Sequence, residues 1–228
     1  MSDATPPSAY QLAQQMGDAL IDPADLGPEF DELVAAVRRL TDAAVATDLE
    51  PGERAAIGTE LDRLTDRLRA AVREPVIFLG RHADGRIANL TQAGSGRLNP
   101  HAPPLVFDPI DLPDTTNGPV SVEIVGRCVL TDAHSGPPER AHGGVLGTLL
   151  DETIGLAATV AGASGLTAGL NLSFKAGTPL REPLTVTARY VRTDGRKHIA
   201  TGEVSAGDLL CATGEGVFIS PNPTTNES

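Results

Sequence analysis

The sequence predicts an α+β protein in which one long apolar helix is wrapped by an antiparallel sheet. Three observations predict it. The segment RAHGGVLGTLLDETIGLAATVAGA, from Arg140 to Ala163, is apolar over most of its length and reads as a single helix. One strand-like run precedes it and four follow it in quick succession. The turns between the later runs are short, and short turns join antiparallel neighbours. A single buried helix against such a sheet satisfies both patterns.

The elements follow in order. Residues 1–8 form a polar tail, and AYQLAQQMGDALI suits a short helix. From Pro28 the pattern is helical, with Leu33, Val37, Leu40 and Ala44 on one stripe. DLEPGE breaks it, and Pro51 fits the first turn of a second helix. Ile57, Leu61, Leu64, Leu68 and Val72 make that helix's stripe. The two helices are expected to form a hairpin, and both are too amphipathic to stand without packing on something. Residues 83–117 are rich in Gly, Pro, Asn and Asp, an irregular connection with PLVF as one short strand. PVSVEIVGRCVL then alternates as a strand, and TDAHSGPPER leads into the long helix. In GLTAGLNLSFKA the alternation is strict. Leu166, Ala168, Leu170, Leu172 and Phe174 face one way, and Thr167, Asn171, Ser173 and Lys175 the other. PLTVTARYVR and KHIATGEVS flank TDGR, whose Asp-Gly pair signals a hairpin turn, and DLLCATGEGVFI closes the sheet. The expected organisation is a helical extension over 1–78, a connection over 79–118, the wrapped-helix domain over 119–220 and a disordered tail over 221–228.

Composition narrows the function. The formal net charge of -12 argues against general nucleic-acid or anionic-membrane binding. No apolar run is free of charge over a membrane-spanning length, since Asp151 and Glu152 interrupt the longest. MSDATPPSAY has neither a basic start nor an apolar core, so nothing suggests secretion and a cytoplasmic location is expected. Cys128 and Cys211 each sit in a strand-like run and read as reduced core thiols. There is no G-x-S-x-G elbow, phosphate-binding loop or dinucleotide fingerprint, and the five histidines have no metal-ligand spacing. No metal and no bound cofactor are expected.

The long helix carries the chemistry. On a helical wheel its bulky residues cover one broad side, while Gly144, Gly147, Thr148, Asp151, Gly155 and Ala158 share the remaining arc. Glycine inside a helix costs about 1 kcal/mol relative to alanine, so a stripe of small residues calls for close approach of a backbone or a ligand. Asp151 lies in the middle of that stripe. A carboxylate in a small, poorly hydrated site can serve as base or nucleophile. The bland alternative is a solvated edge residue beside a stripe that only packs. His142-Gly143-Gly144 sits at the helix start, where free N–H groups and the helix dipole favour developing negative charge, as an oxyanion hole requires.

AHGGVLGTLLDETIG, followed by LTAGLNLSFKAGTPL and VRTDGRKHIATGEV, resembles the hotdog-fold acyl-CoA thioesterases. The likeness is to the phenylacetate-pathway branch and the mammalian superfamily members with an HGG…D motif, and it covers roughly residues 103–219. It implies a hotdog fold for the domain that follows the N-terminal helical hairpin, and hydrolysis of acyl-CoA to free acid and coenzyme A; the hairpin itself is not covered by the likeness. By motif position Asp151 matches the catalytic carboxylate. Gly143 or Gly144 matches the oxyanion donor, with His142 beside the carbonyl. Thr167 matches the hydroxyl that positions water or carboxylate. Coenzyme A enters as part of the substrate, with Asn171, Lys175, Arg196 and Lys197 as its expected contacts. Gly143 and Asp151 are about 12 Å apart along the helix, too far to share one thioester carbon. The site is therefore expected to combine His142 and Gly143 of one chain with Asp151 and Thr167 of another, in a homodimer or a tetramer of paired dimers. Two other readings stay open: a hotdog enoyl-CoA hydratase or dehydratase, and a non-catalytic acyl-CoA-binding module. Hydration of an enoyl-CoA without thiol release would mark the first, and saturable binding without turnover the second.

Overall fold

The computed structural model describes residues 20–220, so the expected first helix over 9–21 and the tail over 221–228 lie almost wholly outside the described residues. The chain divides into two compact units between His101 and Ala102. Residues 102–118 thus fold with the second unit, which begins earlier than the expected 119.

In the first unit, α1 spans Pro28–Ala46 and α2 spans Pro51–Arg69, each with proline in its first turn. Proline lacks an N–H that this position would leave unpaired anyway. The Arg54 side chain donates to the carbonyls of Leu49 (2.7 Å) and Thr47 (2.8 Å) and closes the linker between them. Two strands, β1 (Leu79–Arg81) and β2 (Ile87–Asn89), form a hairpin inside the stretch expected to be irregular. Their signal was present: Asp84-Gly85 is a turn pair, and Gly85 has φ +89°. The α1 stripe is also corrected. Leu33 is 50% exposed, whereas Val34 is buried. The helix is turned by one residue because polar fastenings orient it. Arg97 holds Asp31 through two hydrogen bonds, and Arg38 donates to the carbonyl of Asn99. In α2 no residue is buried.

The second unit is the expected wrapped helix. Six strands make one antiparallel sheet: β3 (Val106–Phe107), β4 (Glu123–Val129), β5 (Leu166–Phe174), β6 (Pro183–Asp194), β7 (Lys197–Ala206) and β8 (Leu209–Ile219). Their order is β3-β4-β6-β7-β8-β5. Helix α3 (Gly143–Val160) lies against the sheet and buries Leu146, Leu149, Leu150 and Ile154. These meet alternate residues of the strands, such as Ile124, Leu184, Val186 and Val204. Glycines in the sheet let the helix sink. A Cβ at Gly214 or Gly216 would stand 3.2 or 2.8 Å from Ile154. The β6–β7 hairpin turns where expected, with Gly195 at φ +58°.

Helix α3 ends in a Schellman motif. Gly162 has φ +83°, its N–H donates to Thr159, and the N–H of Ala163 donates to Ala158. A Cβ at Gly162 would also lie 2.8 Å from Thr115. Gly162→Ala is expected to destabilise the protein by about 2 kcal/mol, read as a lower denaturant midpoint at unchanged slope. Cys128 and Cys211 are both free and buried. Burial pushes the Cys128 thiol up to about 11, so it is a poor nucleophile near neutral pH.

Candidate active site

The loop before α3 folds onto the helix start and fixes it. Ala141 N–H donates to Thr178, His142 N–H donates to His134, and Gly136 packs on the His142 backbone. His142 is the N-cap residue, and its Nδ1 accepts from Gly144 N–H at 3.0 Å. An accepting Nδ1 puts the ring proton on Nε2. Gly144 is thereby occupied in capping, whereas Gly143 N–H has no acceptor among the described residues. The ring of Phe174, 56% exposed, covers Gly143, where a Cβ would stand 3.0 Å from its Cζ.

About 12 Å further along the helix, Asp151 is half-buried and its Oδ1 accepts from the Thr167 hydroxyl at 3.3 Å. The strict alternation read from the sequence puts Thr167 on the face opposite Leu170, Leu172 and Phe174. The structure corrects this. A bulge between Thr167 and Gly169 inserts Ala168, so Thr167 pairs with Phe218 while Leu170 pairs with Gly216. Phe218 and Gly216 both face the helix. The bulge therefore turns the hydroxyl toward Asp151. Leu166 is rotated off the core and is 69% exposed.

The stripe of small residues serves two purposes. Gly147 packs on Leu172, Gly155 packs on Phe218, and Ala158 is buried, so these bring the helix onto its own sheet. Gly144, Thr148 and Asp151 stay partly open. The expected reservation of the whole stripe for a second chain therefore narrows to these three.

The four expected coenzyme contacts do not come together within one chain. Lys197 and Leu166 are both level with Ile219, and Arg196 donates to the carbonyl of Ser220. Lys175 follows the far end of β5, roughly 26 Å away along the strand. The split arises because β5 runs antiparallel to β8. Asn171 faces away from the helix, in a polar trough of about 440 Å³ that Arg189, Glu203 and Glu215 also line. It is thus on the opposite side of the sheet from Asp151. Arg140 was missed. Its side chain lies across Gly177, two residues from Lys175 and two before His142. Its adjacency to the HGG motif was a signal that counting lysines alone overlooks. Among the described residues no group of three or more His, Cys, Asp or Glu could hold a metal, and no helix is long and apolar enough to cross a membrane.

Residues 139–212, which hold both halves of this arrangement, match the thioesterase superfamily. A crystallised thioesterase superfamily protein is 29% identical and superposes with a TM-score of 0.71, over 87% of this chain and 97% of its own. Its coverage takes in the region before the sheet as well. The second unit has the hotdog fold, and its residues 139–212 match the thioesterase superfamily. Bovine (Bos taurus) acyl-coenzyme A thioesterase THEM4 is 30% identical over 90 residues, which are 39% of this chain and 37% of that protein. The match thus spans little more than a third of the curated relative's length. Within the hotdog domain, the matched stretch runs from the loop before α3 into β8, and it includes the Gly143 start, Asp151 and the bulged Thr167.

Proposed function

We propose that the protein is an acyl-CoA thioesterase whose active site is assembled between two copies of the chain. One observation carries the reading: the two half-sites lie at opposite ends of the same open sheet edge. β5 is hydrogen-bonded only to β8, so its other edge is free among the described residues. Gly143 sits beneath Phe174 at the end of β5, and Asp151 is held by Thr167 at its start. Antiparallel pairing of β5 with its copy sets the start of one strand against the end of the other. It would bring the Gly143 half of each chain to the Asp151 half of its mate, twice per dimer.

The chemistry follows from the parts. The thioester carbonyl oxygen accepts from Gly143 N–H, and the helix dipole stabilises the charge that develops there. Asp151 takes a proton from water as it attacks the carbonyl carbon, or attacks directly to form an anhydride that water then opens. Collapse of the tetrahedral intermediate expels the coenzyme A thiolate. The Thr167 hydroxyl donates to Oδ1 and orients the carboxylate. The same pairing would place Arg140 and Lys175 of one chain toward the Arg196–Lys197 end of the other, a cationic mouth for the coenzyme phosphates.

A thiol-release panel across short, medium, long and aryl acyl-CoAs tests this. At least one class should show saturable release of free coenzyme A, and silence across the whole panel would discard the proposal. Thr167→Ala should lower kcat by about tenfold with KM little changed, since it removes one hydrogen bond to a charged group. An unchanged kcat would remove Thr167 from the mechanism.

A further inference from the structure

We infer that α2 is a self-association surface that pairs antiparallel with α2 of a second copy of this chain. The inference does not depend on the thioesterase reading. Ile57, Leu61, Leu64 and Leu68 are spaced four, three and four residues apart, the stripe of a helix built to lie along another helix. Among the described residues that stripe is largely uncovered, with Leu61 half-buried. Leu64 is 49% exposed, Leu68 56% and Ile57 39%, and no residue of α2 is buried.

Charge decides what covers it. From Asp48 to Glu60 there are four carboxylates and one arginine, and that arginine, Arg54, is turned onto the linker carbonyls. From Leu61 to Arg73 there are four arginines and two aspartates. Asp48, Glu50 and Arg73 flank the helix. Within Pro51–Arg69 the first half has Glu53 and Glu60 with the engaged Arg54, and the second has Arg63, Arg67 and Arg69 with Asp62 and Asp66. The start is thus acidic and the end basic by a small margin. A parallel copy would set like charge against like, whereas an antiparallel copy sets opposite charges together. The antiparallel register that layers the stripe on itself places Leu61 against the mate's Leu64, and Ile57 against the mate's Leu68. It also brings Glu60 beside the mate's Arg67, twice across the two-fold axis. Within one helix these two are seven residues, about 10 Å, apart and do not meet. Neither has an ion-pair partner among the described residues. Such a helix pair is smaller than a free-standing interface, so it acts beside a second contact that raises its effective concentration.

Disulfide trapping in the full-length chain tests both the partner and its direction. Ile57→Cys and Leu68→Cys in the same chain should give a covalent dimer on mild oxidation, visible on a non-reducing denaturing gel. The two positions are about 16 Å apart in one helix and cannot bond to each other. Either substitution alone should leave the chain monomeric on the gel. The native Cys128 and Cys211 are buried and stay silent. In the double-cysteine background, Glu60→Arg should slow trapping about tenfold, and adding Arg67→Glu should restore the rate. No covalent dimer from the double variant would overturn the inference, and the stripe would then belong to another surface of this chain or to another protein. Equal trapping by Ile57→Cys alone, or failure of the second charge change to restore the rate, would overturn it too.

Discussion

Asp151→Asn should reduce kcat for acyl-CoA hydrolysis by about a thousandfold, within the range expected for loss of a general base and larger for loss of a nucleophile. The amide keeps the volume and can still accept from Thr167, so the change is confined to basicity. Asp151 is half-buried at the open side of α3 and supports no core contact. Thermal unfolding and coenzyme A affinity should therefore stay close to those of the parent. A variant that retains full turnover would remove Asp151 from the chemistry. Single turnover in labelled water distinguishes its two possible roles, because only the anhydride route leaves label in the Asp151 carboxylate.

Gly143→Pro should also silence the enzyme, by about a hundredfold or more, through loss of the oxyanion donor. The substitution suits the backbone. Proline is favoured in the first turn of a helix, and His142 before it has φ -69° and ψ 136°, the extended region that a following proline requires. Phe174, being exposed, can yield to the ring. The larger consequence comes on mixing. If each site takes Gly143 from one chain and Asp151 from the other, a dimer of one Gly143→Pro chain and one Asp151→Asn chain has one intact site and one doubly damaged site. Co-refolding equal amounts of the two inactive variants should then recover about a quarter of parental activity, since half the dimers are mixed and each has one working site. Recovery of nothing, with mixed dimers demonstrated by mass, would place the whole site within one chain.

Much of this was legible in the sequence. The apolar length of α3 marked the central helix, and the HGG start with Asp151 eight residues after Gly143 marked the residues of the proposed chemistry. The separation of Gly143 from Asp151 is what asks for two chains in the proposed site. The coenzyme side was less legible. Lys175, Arg196 and Lys197 look clustered along the chain because each stands at a strand end, but antiparallel strands send successive ends to opposite edges of the sheet. The place of Arg140 across Gly177 is likewise set by the folded turn and not by its position in the chain.

The sequence alone determined the kinds and order of the elements from Pro28 on, apart from the β1–β2 hairpin, and the central helix on which the proposed site is built. Periodicity, proline in first turns and Asp-Gly turns are local, and they act before any long-range contact forms. Tertiary structure decided which way the decisive groups point. The bulge at Ala168 arises from the register of β5 against β8, and it alone turns Thr167 to Asp151. Capping by His142 uses the N–H of Gly144 and leaves that of Gly143 free, a choice made when the preceding loop folds onto the helix start. The same distinction applies to α2, whose stripe is plain in the sequence but largely uncovered among the described residues. Pattern specifies that a face must be buried, and only the assembled structure specifies against what.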